Sequence, residues 1–326
     1  MAIGLRPGVT RDRLDEAGRF DDPLVDEVLR GAIDLHVHPG PSPLPRRMGV
    51  LEAASDAARY GYRAIVAKSH HHSMLSEIQA LRDEAGLADV PVDVFGGVAL
   101  NHQVGGLNPY AVEYALALGG RVVWFPTIAS DAHLCHHEEA GFPTAGLSLR
   151  HGPPIPIADN RGRRLPEVTD ILQQIAAAGA VLNTGHLGVA EIDMLLAEAR
   201  AAGVERVVVS HPDFIVGADP ERVRRWAEAG AYVEFCCGLY DEAGGLRATD
   251  LKLGDLVRYL SAVPEGRVVL ASDVGQRTSP RPVDTMRRTL RDLLAEGFTA
   301  ETLRRYVVDN PAAVLYGEGL ARGDAR

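Results

Sequence analysis

Short runs of β-branched and other apolar residues alternate with longer amphipathic stretches along most of the chain. The apolar runs are Ala32–Val37, Ala64–Ala67, Val92–Leu100, Arg121–Phe125, Ala180–Leu182, Arg206–Val209, Tyr232–Phe235 and Arg267–Leu270. They are apolar at both parities, as strands covered on both faces are. Between them a 3.6-residue period predicts helices near 50–60, 75–86, 109–118, 166–178, 189–202, 219–229, 251–261 and 284–296. Several of these end at a glycine that leads into the next strand, where a left-handed C-cap carries no side-chain penalty. Strict alternation implies parallel strands with right-handed crossovers. Eight such units in 326 residues favour an α/β (β/α)8 TIM barrel over an open doubly wound sheet.

The flanks and one connection depart from the repeat. A capping helix over Pro23–Arg30 makes residues 1–30 a short N-terminal extension, 31–318 the barrel and 319–326 a tail. After strand four, Ile128 to Arg164 is rich in Pro, Gly and His. It predicts a long loop without a regular hydrogen-bonded element, suited to a lid over an active site or to an assembly arm.

The polar residues at the strand ends carry the chemistry. All twelve histidines fall at the C-terminal end of a predicted strand or in the loop after it, and none in a predicted helix. In a (β/α)8 barrel that rim is where active sites are built. The sharpest motif is D-L-H-V-H, Asp34 to His38. Residues i and i+2 of a strand face one side, so His36 and His38 can reach one ion. Imidazole pairs at this spacing suit Zn, Fe or Mn. Three more polar ends follow apolar runs: Asn183-Thr184-Gly185-His186, Ser210-His211-Pro212 and Ala271-Ser272-Asp273.

This ordered set (H-x-H on strand one, His on five, His on six, Asp on eight) resembles the amidohydrolase superfamily. The resemblance runs from Ala32 to Gly317 if Asn310-Pro311-Ala312 is counted as similar to that family's closing helix. It implies that His36, His38, His186 and His211 are metal ligands, and that Asp273 is both ligand and catalytic base. The implied reaction is hydrolysis, with a metal-activated water attacking the carbonyl of a small amide, ester, lactone or thioester. Divalent transition metal ions, two per chain, are the cofactors expected. A decarboxylase or deaminase using one ion, and a non-catalytic metal- or ligand-binding barrel, are the competing readings.

Two departures from the family pattern add candidates. Strand four ends Trp124-Phe125-Pro126-Thr127 and offers no bridging Lys or Glu, whereas strand two ends Ala67-Lys68-Ser69-His70-His71. Lys68 shares parity with His70; it reads as a displaced carbamylated bridge or as an ammonium that polarises the substrate, with His70 as a further ligand. Glu234 lies inside an apolar strand, where a carboxylate needs a metal or an arginine. His71, Asn101, His133 and Arg277 fall on loops that would face the substrate, and Arg277 or Arg281 could grip an anion.

Charge narrows the partners. With 34 Lys+Arg against 44 Asp+Glu, the chain carries −10, which argues against nucleic acid and anionic membrane surfaces. Arg287, Arg288 and Arg291 read as a solvated helix face. No apolar run approaches the ~20 residues that cross a bilayer. Three cysteines, two adjacent, make no disulfide framework. The chain reads as a cytoplasmic protein with a small-molecule substrate; a homo-oligomer stays open.

Overall fold

The computed structural model describes residues 22–140, 149, 152–242 and 249–317. Among these, nine strand segments run parallel: β1 (Ile33–Val37), β2 (Ala64–Ala67), β3 (Asp93–Phe95), β4 (Gly97–Ala99), β5 (Val122–Trp124), β6 (Val181–Asn183), β7 (Val207–Ser210), β8 (Tyr232–Cys236) and β9 (Val268–Ala271). The expected third strand is broken at Gly96, so that β3 pairs with β2 while β4 pairs with β5. The remaining neighbours pair in sequence order. The last strand returns to the first: Asp273 N donates to His36 O (2.8 Å), His38 N donates to Val274 O (3.0 Å), and Val37 bridges Val274. Eight staves therefore close a barrel, as the alternation predicts.

The covering helices are α1 (Pro23–Leu29), α2 (Val50–Arg59), α3 (Leu75–Glu84), α4 (Pro109–Ala117), α5 (Asp131–Ala140), α6 (Pro166–Ala178), α7 (Val189–Ala201), α8 (Pro220–Glu228), α9 (Leu253–Ala262), α10 (Pro282–Ala295), α11 (Ala300–Arg304) and α12 (Asn310–Tyr316). Their starts follow capping chemistry. Asp22, Asn108 and Asp219 each accept a first-turn amide, and each precedes a proline that needs no partner there.

Helix α5 corrects the expectation of an irregular connection after strand four. The prolines and glycines that suggested it all follow residue 140, and the stretch before them has neither. Ser130 Oγ accepts from His133 N (3.1 Å) as an N-cap and donates to His186 O (2.7 Å), which starts the helix and ties it to the loop after β6. Three histidines expected outside helices, His133, His136 and His137, therefore lie on one. Phe142, Leu147 and His151 of the expected lid lie outside the described residues, as do residues 1–21 and 318–326. Ile155, in the same stretch, packs on Gly106 and donates its amide to Ala129 O (2.9 Å).

The basic cluster on α10 is also not a solvated face. Arg287 is buried, pairs with Asp26 of α1 (2.8 Å) and stacks on Tyr60, while Arg288 pairs with Asp241 (2.5 Å). No helix of the described residues is long and apolar enough to cross a membrane.

Two apolar cores result, one between the strands and the helices and one inside the barrel. Ile33, Leu35, Ala64, Val66, Trp124, Val181, Val208, Tyr232 and Val269 fill the lumen, and Ala312, Val314 and Leu315 of α12 close its N-terminal end. In β1 the register slips: Ile33 faces Ala64 and Asp34 faces Ile65, but Val37 faces Ala67. Three steps on one strand against two on its neighbour are a β-bulge, which reverses the in–out alternation. Ile33 and Leu35 point into the lumen and, beyond the bulge, so do His36 and His38. Asp34 and Val37 instead line a small cavity under α2 and α10 with Met48, Ala53 and Tyr62. From there Asp34 Oδ1 accepts from His36 N (3.1 Å) and Ser272 N (3.0 Å), satisfying amides at the irregularity.

Candidate metal centre

The staves turn polar at their C-terminal ends while keeping the parity of the lumen. Tyr232 is followed two residues on by Glu234, Val208 by Ser210, Val181 by Asn183 and Val66 by Lys68. All four polar residues are buried. Above them five imidazoles form a closed circuit. Ring centroids lie 5.0 Å apart for His36–His38, 4.8 Å for His38–His70, 5.8 Å for His70–His186, 5.0 Å for His186–His211 and 5.3 Å for His211–His36. His133 of α5 stacks on His186 at 5.0 Å.

Asp273 stands inside this circuit. Its Oδ1 lies 3.0 Å from His36 Nε2 and 2.9 Å from His38 Nε2, and its Oδ2 lies 3.5 Å from His211 Nε2. Asp273 (φ 53°) and His211 (φ 51°) both have left-handed backbones, the only described non-glycine residues that do. Such conformations cost energy and persist where the surroundings enforce them. Two residues after Asp273, Gly275 packs its backbone directly on the first stave, since a Cβ there would lie 2.0 Å from His38 O.

The tautomers are set from behind. Glu234 Oε1 accepts from His36 Nδ1 (2.8 Å) and from Ser210 Oγ (2.7 Å), and Ser210 is held in turn by Asn183 Nδ2 (2.8 Å). His38 Nδ1 donates to Lys68 O (3.0 Å). Both rings are thereby turned so that Nε2 faces Asp273, as metal-binding imidazoles are fixed by a partner on the other nitrogen. Glu234, a ligand candidate from the sequence, is thus placed behind His36 as its orienting partner.

Lys68 Nζ lies 2.9 Å from His36 Nε2, above the Trp124 ring (5.7 Å). Burial opposes charge on His36, but Asp273 and Glu234 outweigh it and raise the imidazole to about 9. Burial lowers Lys68, with the same two carboxylates offsetting part of the effect. Burial drives His38 down to about 3 and His211 to about 4, and pushes His70 and His186 well below the usual range, so these four are neutral near pH 7. Burial would raise Asp273, but His36 and His211 hold it well below the usual carboxylate range.

These residues fit a divalent cation. His36, His38 and Asp273 offer donor atoms within 4.8 Å of one another, and so do His36, His211 and Cys236. His186 Nε2 and His211 Nδ1 are buried with no hydrogen-bond partner. Imidazoles around an ionised carboxylate are the donor set of Zn, Fe and Mn sites.

The other sequence candidates divide. His70 joins the circuit, with Nδ1 on Thr127 Oγ1 (2.9 Å). His71 is buried at its edge, with Nδ1 unpartnered. His133 reaches His186, Nδ1 to Nδ1 at 2.9 Å. Asn101 is a strut: it donates to His70 O (2.9 Å) and Thr127 Oγ1 (2.6 Å) and accepts from Thr127 N (2.9 Å) and Ala129 N (3.1 Å). No capacity is left on that amide for a substrate. Arg277 is exposed, and Arg281 is committed to Asp56 and Glu52.

Cys236 is a residue that sequence reasoning missed. Its buried Sγ lies 3.7 Å from His36 Nδ1 and 3.9 Å from His211 Nε2. Its parity with Glu234 was the available signal.

Comparison with known proteins adds the following. A family model described as a family of unknown function, DUF6282, matches residues 31–234. No curated protein matches the sequence. Solved structures match by fold. An amidohydrolase from Pseudomonas aeruginosa aligns at 14% identity with a TM-score of 0.58, over 90% of this chain and 97% of its own. A lactonase from Listeria monocytogenes aligns at 14% identity and TM-score 0.54, over 90% and 96%. A phosphotriesterase homology protein from Escherichia coli, solved with phosphate in its active site, aligns at 16% and 0.50, over 87% and 98%. The likeness to these three is one of fold.

Proposed function

The chain belongs to the DUF6282 family and folds as an amidohydrolase-type barrel, and from that premise we propose that it is a metal-dependent hydrolase of small acyl substrates. The observation that carries this reading is Asp273, ionised and ringed by imidazoles whose Nε2 atoms are aimed at it from His36 and His38. His36, His38, His186, His211 and Asp273 would hold the metal, with His70 and Cys236 within reach of the same space. With a divalent transition ion held there, the site would have a coordinated water acidic enough to ionise near pH 7 and a charge to polarise a carbonyl oxygen.

The chain's own groups supply the rest. Asp273 takes the proton of the attacking water at a carboxylate oxygen and returns it to the leaving group. Glu234, through His36 Nδ1, holds the first imidazole in one tautomer throughout. Lys68 is buried and lowered, which suits an amine that donates a hydrogen bond to the substrate oxygen or one that carries a carbamate. Helix α5 brings His133 over His186 and keeps bulk water from that side. The printed activities of the structural neighbours, amidohydrolase and lactonase among them, fall in the same class.

The test is a panel of lactones, esters, thioesters, amides and phosphotriesters, run on protein loaded with Zn, Mn or Fe. Turnover of at least one acyl class is expected, lost on chelation and regained on adding the metal, with two ions per chain by elemental analysis. Activity that survives complete chelation, or an inert panel at full metal occupancy, would overturn the reading. One ion at full activity would favour the decarboxylase or deaminase chemistry instead.

A further inference from the structure

Arg46 lies in the loop joining β1 to α2, and the backbone of that loop is fastened on both sides. Gly40 N donates to Met48 O (2.8 Å), Arg46 pairs antiparallel with Gln276, and Arg47 N donates to Gly275 O (2.8 Å). The stem of Arg46 lies against Gly40, where a Cβ would sit 3.6 Å from its own. Pinned in this way between the first stave and the loop after the last, the side chain is near enough to the metal-binding residues to act on them. Its charge acts on Asp273, His38, His70 and His71.

The guanidinium nevertheless has no partner among the described residues. Its Nε is shielded from solvent and makes no hydrogen bond, and no carboxylate of the described residues lies within ion-pair distance of it. Asp273 is the carboxylate it feels, and the oxygens of Asp273 already face His36, His38 and His211. Three other arginines are spent, Arg281 on Asp56 and Glu52, Arg288 on Asp241 and Arg287 on Asp26, while Arg277 is exposed. A planar donor fork, partly desolvated and left open at the mouth of a site, matches the two oxygens of an anion. The loop does not need the side chain to hold its shape, because backbone bonds do that.

We propose that Arg46 is a specificity-determining residue that binds an oxyanion, a carboxylate or a phosphate, carried by the substrate away from the bond that is cleaved. This rests on the hydrolase reading for the identity of the site, and it narrows the substrate class to acyl compounds with an anionic tail. An anion can take up both the charge and the fork of Arg46, and a neutral substrate gains from neither.

The experiment uses the full chain loaded with metal and matched substrate pairs: an ester or lactone with a free carboxylate, its neutral methyl ester, and a phosphate-bearing analogue. Wild type is expected to favour the anionic member in kcat/KM. Arg46→Gln should cut that preference by about 30-fold or more, mainly through KM. Arg46→Lys keeps the charge without the fork and should recover part of it, while Arg47→Gln, at the exposed neighbour, should preserve the preference. Calorimetric titration with glutarate and with inorganic phosphate reads the site without turnover. Either anion should bind wild type at least tenfold more tightly than Arg46→Gln, and the stronger of the two identifies the tail.

The outcomes separate the two claims. If no substrate turns over but glutarate or phosphate binding depends on Arg46, the hydrolase reading falls and the anion site stands. If turnover is seen but Arg46→Gln alters neither preference nor anion binding, the anion site falls and the hydrolase reading stands. Failure of both anions to bind wild type overturns the anion site as well.

Discussion

At the N-terminal end of the lumen Leu35, Tyr232 and Val269 meet Leu315 of α12, and packing accounts for every side chain. Further along the staves the lumen holds Lys68, Glu234, Asp273 and the five imidazoles. The lower end gains stability from each methylene it buries. The upper end places charges in a dry space, where they are costly unless each finds a partner or an ion. Hydrogen bonds such as Asn183 to Ser210 to Glu234 to His36 offset part of that cost, whereas two left-handed residues and the unpaired nitrogens of His186 and His211 add to it. Stability and chemistry are thus separated along the strand axis, and variants at the two ends should report on different quantities.

The largest effect is expected at the upper end. His36→Ala or Asp273→Asn should lower kcat/KM by 1,000-fold or more, on the order of 4 kcal/mol or greater, with circular dichroism unchanged. Rates within about tenfold of wild type in a folded variant would break the contrast. At the lower end, Leu315→Ala should cost about 2–5 kcal/mol in denaturant unfolding. Its kcat at a permissive temperature should match wild type, and a loss of turnover without a loss of stability would show that the plug also shapes the site.

Asp34 lies between the two regimes, and burial raises its carboxyl to about 6. A carboxyl whose folded pKa exceeds its ordinary value of 3.8 favours the protonated form in the fold, so it costs stability as pH climbs from about 4 to above 6. Relative to Asp34→Asn in metal-stripped protein, wild type should lose about 3 kcal/mol across that interval and then level off. Unfolding curves at pH 4, 5, 6 and 7 would show it; a flat difference means that Asp34 stays ionised inside. The smallest effect belongs to Glu234→Gln, which keeps the shape and removes the charge behind His36. Metal affinity should fall about 10–100-fold, measured by competition with a chromophoric chelator.

Much of this layout was legible beforehand. The eight staves could be read because their runs are apolar at both parities, and the rim because nothing in packing asks for His186, His211 or Asp273 where an apolar strand ends. What was hidden depended on distant partners. Arg287 looked solvated because Asp26, far away in the sequence, lies in another helix. Arg46 gave no signal because only the bridge to Gln276 aims it. Cys236 and Ser210 are small residues whose parity mattered more than their type. Helix α5 was missed for a local reason: the Pro and Gly beyond residue 140 outweighed a Ser130 cap that was present in the sequence.

The slip in β1 has a consequence for anyone who would move this motif elsewhere. It acts as a phase converter, because upstream of it the odd-numbered residues fill the lumen and downstream the even-numbered ones do. D-L-H-V-H is therefore not two imidazoles on a generic strand but a five-residue cassette, with Asp34 as the clip that holds the splice open from outside. Grafted into an unbroken strand that keeps Ile33 and Leu35 inward, the same letters would aim both imidazoles under the helices. Straightening the splice here without shortening the chain would do so too, turning Val37 inward in place of His36 and His38.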